Sequence, residues 1–319
     1  MSASVIDLSV VIPFLNEEGS LVELHQRLTN VATAQNLNYE LIFVDDGSRD
    51  ASNSIVHELK KSDPRVRLIT FRRNQGKSAA LEVGFSQSRG NFVVTMDADL
   101  QDDPAEIPNL IAKLSEGFDL VSGWKQVRHD PITKTLPSKV FNKVTGFLSG
   151  IELHDFNCGL KIYRREVTQE LHVYGERHRF LPVLAHMQGF RVGELPVQHH
   201  PRVHGKTKFG AYRFLAGFFD LTTLLFRMKF VTKPLHFFGS LGSISLLIGL
   251  GIIGYLSFGW FQGRWIGNRP ILLIGVLGVV SGVQLFTLGL LAEMIAEKSA
   301  RTTPPLRPES DLLDQDKLR

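Results

Sequence analysis

Over residues 1–125, short runs of apolar, often β-branched residues alternate with stretches whose apolar side chains recur at helical spacing. Leu8–Phe14, Tyr39–Val44, Val66–Phe71, Asn91–Met96 and Phe118–Ser122 read as strands, because each is an apolar run of strand length. Ser20–Ala34 puts Leu21, Leu24 and Leu28 on one face and reads as a helix, as do Ala51–Lys60, Ser78–Ser86 and Ile107–Ser115. Strands that are apolar throughout, and not only at alternate positions, need cover on both faces. The pattern therefore predicts an α/β fold with a mostly parallel, Rossmann-like sheet and helices on both sides. Ligands of such sheets sit beyond the carboxyl ends of the strands.

Beyond that region the pattern changes. Residues 126–150 are basic and read as loop or helix, and 151–200 return to mixed α/β character. Residues 202–233 carry Arg202, Lys206, Lys208, Arg213, Arg227, Lys229 and Lys233 among Phe and Leu, with Asp220 as the single acid. This reads as interfacial amphipathic helix, basic side chains toward headgroups and aromatics toward acyl chains. Leu235–Phe261 and Ile271–Ala292 contain no Asp, Glu, Lys or Arg, and each is long enough to cross a bilayer. The expected organisation is a domain over 1–205, interfacial helices over 206–233, a two-helix transmembrane hairpin over 234–295 and a disordered tail over 296–319.

Charge adds an orientation. Seven basic residues precede the first span, against Arg264 and Arg269 between the spans. The positive-inside rule then places the N-terminal domain and both termini in the cytoplasm and the chain in a plasma (inner) membrane. A net charge of +4 suits phosphate-bearing partners or an anionic membrane surface. No basic patch interleaved with aromatics stands out, which argues against nucleic acid. Cys158 is the one cysteine, so no intrachain disulfide forms, as suits a reducing compartment.

The polar residues that interrupt the pattern are the candidates for chemistry. Met96–Pro104 (MDADLQDDP) follows a strand and offers Asp97, Asp99 and Gln101 as hard oxygen ligands for Mg²⁺ or Mn²⁺. In an extended path, alternation would point these side chains the same way. Pro13, Asn16 and Glu17 close the first strand, where they fit a nucleotide contact or a plain helix cap. Asp45 and Asp46, ahead of Gly47, fit a nucleotide contact or a strand-to-helix turn equally well. Lys77 opens a helix after Asn74-Gln75-Gly76, but the spacing is not that of an ATP-binding P-loop. Asp155 heads the cluster Asp155-Phe156-Asn157-Cys158-Gly159, a candidate contact to a sugar.

Taken together and in order, these motifs resemble those of family 2 glycosyltransferases with the GT-A fold. More narrowly, they resemble the dolichol-phosphate mannose synthase and bacterial polyprenyl-phosphate glucosyltransferase branch. The matching motifs are Pro13-x-x-Asn16-Glu17, Asp45 to Ser48, Asn74-x-Gly76-Lys77 with Gly84, Asp97 to Pro104, and Arg202-x-x-Gly205-x-Thr207-Lys208-Phe209. The last departs from the family pattern, with Thr for Ser and Phe for Tyr.

The resemblance implies a metal-dependent enzyme that transfers a hexose from a nucleotide-sugar to a polyprenyl phosphate, with inversion. Two C-terminal spans point to glucose from UDP-glucose and to undecaprenyl phosphate. GDP-mannose is the alternative donor, and a non-catalytic nucleotide-binding membrane adaptor is the reading from another class. The implied site has Asp97, Asp99 and Gln101 on Mg²⁺ or Mn²⁺, and Pro13, Asn16, Glu17, Asp45, Asp46, Lys77, Asp97 and Ala98 on the nucleotide-sugar. Asp99, Asp155, Arg202 and Lys208 serve the reaction, and Arg128, Ser138 and Lys139 hold the acceptor phosphate. Nothing in the sequence fixes the oligomeric state, which leaves room for a homo-oligomer.

Overall fold

The computed structural model describes residues 6–126, 142, 145–146, 149–175, 177–201, 233–265 and 270–300. The chain divides into two compact units, Met1–Asp220 and Leu221–Arg319.

The first unit is built on a seven-stranded sheet. Its strands are β1 (Leu8–Phe14), β2 (Tyr39–Asp45), β3 (Val66–Thr70), β4 (Phe92–Thr95), β5 (Leu120–Lys125), β6 (Lys161–Arg164) and β7 (Val192–Val197), in the order β3-β2-β1-β4-β6-β5-β7. β1 pairs parallel with β2 and β4, β2 with β3, and β5 with β7. β6 alone runs the other way, antiparallel to both β4 and β5. Its first residue, Lys161, lies opposite Thr95 of β4 and Ser122 of β5. The reversal therefore brings the start of β6 to the sheet edge where the other strands end. Pro196 cannot complete a ladder on both sides, and β7 that carries it is an edge strand.

The expected cover on both faces is present. Val10, Ile12 and Phe14 of β1 pack with α1 (Leu21–Ala34), Val56 of α2 (Ser52–Ser62) and α4 (Ile107–Ser115). Val11, Ile42 and Val44 pack on the opposite face with α3 (Lys77–Gln87), α5 (Arg165–Glu170) and α6 (Leu181–Met187). At Gly84 of α3 any Cβ would collide with the Val11 side chain, so the glycine sets how closely α3 lies on β1. Away from the candidate site, Glu40 is buried between β1 and the β4 approach. It accepts from Ser9 Oγ at 2.7 Å, Arg89 N at 2.8 Å and Arg67 Nη1 at 3.0 Å.

The second unit contains α7 (Pro234–Phe261) and α8 (Pro270–Ala300), both long and apolar enough to cross a membrane. Their mutual face is made of glycine. A Cβ at Gly249 would stand 2.6 Å from Val279 N, and one at Gly282 would stand 2.7 Å from Leu246 N. Small residues let apolar helices approach where no hydrophobic force drives them together. Ser245 Oγ donates to the Gly278 carbonyl at 2.9 Å, and Glu293 accepts from Leu235 N at the start of α7 at 3.0 Å. The outward side chains, among them Leu247, Phe258 and Leu273, are exposed, as a lipid-facing surface requires. The interfacial helix expected over 206–233 lies outside the described residues apart from Lys233.

Candidate functional site

A small cleft opens at the carboxyl ends of β1 and β4 and the start of β6. Pro13, Lys77, Asp97, Asn157, Lys161 and His178 contribute its polar rim and walls. Each arrives there for a local reason. Pro13 is the penultimate residue of β1. Asp97 follows β4, whose last residue donates from Thr95 Oγ1 to the Gly159 carbonyl at 2.9 Å. That bond fastens the loop before β6 to the end of β4.

Lys77 reaches the cleft through a relay of turns. Asp46 is buried and accepts from Gln75 N at 2.7 Å and Gly76 N at 3.0 Å. Burial, with the neighbouring Asp45 charge, lifts its pKa despite these hydrogen bonds. Gly47, at φ 79°, lets this turn approach the backbone of Arg73 and Asn74, which a Cβ would meet at 2.8 Å. The loop so held starts α3, and Lys77 is its first residue. The Lys77 ammonium bonds Asp97 Oδ1. Burial alone would raise the Asp97 pKa, but the charges of Lys77 and Lys125 overcome it and hold the carboxyl at about 2.

The motif loop does not continue the strand. β4 stops at Thr95, Ala98 and Asp99 lie in a turn, and Leu100 has φ 61°. The extended path expected through 97–101 is thus replaced by a turn, because the chain must reverse toward Pro104. Asp97 faces Lys77, while Asp99 is buried and accepts from Gln101 N at 3.3 Å. Gln101 Nε2 lies 3.5 Å from the His200 carbonyl. Ala98 is buried under the turn. Asp102, which the sequence reading passed over, is fully buried against Lys125 Nζ at 2.8 Å. Burial opposes the Lys125 charge, yet the Asp102 carboxylate carries its pKa above the ordinary lysine value.

Among the described residues, no three His, Cys, Asp or Glu side chains gather around one point as a metal cage. The donor chemistry nevertheless fits a divalent cation completed by substrate oxygens. Gly159 leaves a gap in which a Cβ would stand 2.6 Å from Asp97 Oδ2 and 2.9 Å from Asp102 Oδ2. Asp102 Oδ1 is taken by Lys125, while Asp102 Oδ2 has no hydrogen-bond donor among the described residues. Hard carboxylate oxygens from two side chains facing one point are what Mg²⁺ or Mn²⁺ takes.

The remaining candidates are engaged elsewhere. Asn16, at φ 54°, accepts from Arg49 N at 2.7 Å, and Glu17 N donates to Ser52 Oγ at 2.8 Å. Asp45 accepts from Ser48 N at 2.8 Å and Asn53 Nδ2 at 2.7 Å. These residues brace the turns beside the cleft. Asp155 is buried and accepts from Asn157 N at 3.0 Å, which shapes the loop carrying Asn157 and Gly159. Arg128, Ser138, Lys139, Arg202 and Lys208 lie outside the described residues.

The sequence reading missed Lys161 and His178. Lys161 was visible as a charge inside an apolar strand (Leu160-Lys161-Ile162-Tyr163), a flag for a buried functional group. His178 carried no comparable signal. It is tied to the start of α3, its Nδ1 3.0 Å from Ser78 Oγ. Burial first, then the Lys77 charge, takes its pKa well below the ordinary histidine value.

A doubly covered, mostly parallel sheet with its polar residues gathered at the strand ends is a GT-A-like architecture. The comparison with known proteins agrees. The chain belongs to glycosyl transferase family 2, whose model matches residues 9–172. It is 39% identical to the dodecaprenyl-phosphate galacturonate synthase of Rhizobium johnstonii, over 91% of this chain and 88% of that one. It is 37% identical to the undecaprenyl-phosphate 4-deoxy-4-formamido-L-arabinose transferase of Pseudomonas paraeruginosa, over 91% and 85%. Among solved structures, it resembles glucosyl-3-phosphoglycerate synthase from Mycobacterium tuberculosis in complex with Mn²⁺, UDP and phosphoglyceric acid. That likeness has a TM-score of 0.53 and 18% identity over 70% of this chain and 78% of that one, and it supports the fold.

Proposed function

We propose that the protein transfers a sugar from a nucleotide-sugar to a polyprenyl phosphate at the cytoplasmic face of a membrane. One conjunction carries the reading: a cleft holding Asp97 against Lys77 shares a chain with a glycine-packed apolar hairpin. Relatives matching along most of their length bear names of polyprenyl-phosphate sugar transfer, which supports the same acceptor class.

The chemistry follows from the charges. A phosphomonoester has its second pKa at about 6 and is mostly dianionic at neutral pH. It attacks the anomeric carbon without a strong base, the nucleoside diphosphate leaves, and the anomeric configuration inverts. The difficulty lies in the negative charge gathering on the leaving group. A divalent cation on Asp97 and Asp102 beside Gly159, with Asp99 and Gln101 of the same loop as the expected further ligands, would supply Lewis-acid stabilisation of that charge. Lys77 keeps Asp97 ionised for this task. Arg202 and Lys208 would add positive charge, and Arg128, Ser138 and Lys139 would orient the acceptor phosphate. Asp155 shapes the loop beneath the sugar.

For the sugar, glucose is the expectation from the family branch, while the two relatives' names favour galacturonate or a 4-deoxy-4-formamido-arabinose. The test is a donor panel given to the purified full-length protein with undecaprenyl phosphate and Mn²⁺ or Mg²⁺. It contains UDP-glucose, UDP-galacturonate, UDP-4-deoxy-4-formamido-L-arabinose and GDP-mannose. Formation of a lipid-linked sugar from one donor is expected. Nucleotide binding with no transfer from any donor would instead favour the adaptor reading.

A further inference from the structure

Lys161 is the first residue of β6 and is 2% exposed. It shares the cleft wall with Lys77 and Asp97. Its ammonium donates to the Cys158 carbonyl. Among the described residues, no carboxylate lies within 4.0 Å of it. Asp97, the acid of the cleft, is already bonded to Lys77. Buried Asp155 also bears on it by charge, but it lies beyond ion-pair distance.

A buried ammonium without a counter-ion is costly, and it carries more donors than the one that the Cys158 carbonyl satisfies. Burial first, and then the Lys77 charge, pushes its pKa below the ordinary lysine range. A structural lysine would sit beside an acid or reach solvent. This one does neither, and it stands where the strand ends direct ligands. The cleft is thus short of negative charge until an anion enters.

We propose that Lys161 is a phosphate-binding residue: its ammonium receives a phosphoryl oxygen of a bound substrate, completing with Lys77 a two-lysine cradle around Asp97. The phosphoryl group is the diphosphate of the nucleotide-sugar or the monophosphate of the lipid. This rests on the transferase reading above and adds a ligand for a residue that reading leaves unused.

The test compares wild type with Lys161→Met and Lys161→Gln in the full-length detergent-solubilised protein. Thermal shift and equilibrium binding are measured with UDP and GDP, each with Mn²⁺, and separately with a short-chain polyprenyl phosphate. The variants should melt at or above the wild-type temperature without ligand, because a costly buried charge has gone. They should bind one probe about 10-fold or more weakly, the worth of a charged hydrogen bond. Loss on the nucleotide arm assigns the diphosphate, and loss on the lipid arm assigns the acceptor phosphate. Unchanged binding of every probe that wild type binds overturns the proposal and leaves the transferase reading standing. So does a lowered ligand-free melting temperature with binding intact, or failure of both variants to fold, since Lys161 would then serve the Cys158 carbonyl alone. Wild type that binds none of the probes overturns both.

Discussion

Asp97 owes its low pKa to charge and not to exposure, since burial alone would push it upward. Removing the nearest charge should therefore show in the pH dependence. In Lys77→Met the Asp97 carboxyl moves up from about 2 and takes a proton at higher pH. The acid limb of the activity profile should shift upward, while activity at neutral pH falls; an unmoved limb would remove Asp97 from the reaction. At Gly159 the constraint is steric. Alanine there meets Asp97 Oδ2 at 2.6 Å and Asp102 Oδ2 at 2.9 Å. Displacing the acids by a fraction of an ångström should cost about 100-fold in kcat, with the melting temperature nearly unchanged. The Asp-x-Asp motif drew attention through its company, since paired acids are common alone and the apolar strand and the other motifs set this pair apart. The Asp102–Lys125 pair was not legible, because its partners are distant in sequence and only the strand order joins them.

At the scale of elements, Glu40 joins β2 to Ser9 of β1, to Arg67 of β3 and to Arg89 before β4. Burial opposes its ionisation, but the hydrogen bonds from Ser9, Arg89 and Arg67 hold its pKa below the ordinary 4.5. A carboxyl depressed in the folded state stabilises the fold fully above its unfolded pKa. That contribution disappears as pH falls through the folded value. Glu40→Gln should cost about 2 kcal/mol at neutral pH, and the deficit relative to wild type should shrink below pH 4.5. Denaturant melts at two pH values would check this; a deficit that is the same at both would assign Glu40 a packing role only. Strands β1–β5 and the helices between them were readable from apolar runs and leucine spacing, with ends displaced by up to three residues. The direction of β6 was not, since the run Leu160–Tyr163 is equally apolar read either way. Direction follows only from the pairing with β4 and β5.

On the scale of the whole molecule, the hairpin makes the proposed topology open to direct measurement. Cys158 is 2% exposed, and burial first, then the Asp102 charge, lifts its thiol to about 12. It should stay silent toward maleimides at neutral pH. Trp265, beyond the end of α7, is 77% exposed. Trp265→Cys should react with a membrane-impermeant maleimide in intact cells. Labelling only after lysis would invert the orientation. The two long apolar helices were legible from their uncharged stretches, whereas the glycine face that joins them appears only once the helices are paired.

The reversed strand also bears on how the protein is made. β6 joins β1–β4 to β5 and β7, yet it lies about halfway along the chain and is translated after β5. Until it leaves the ribosome, β4 is an open edge with unpaired amides, the kind of surface on which chains aggregate. A ribosome stalled between residues 126 and 160 would hold a nascent chain with every acid of the motif loop present and no cleft around them.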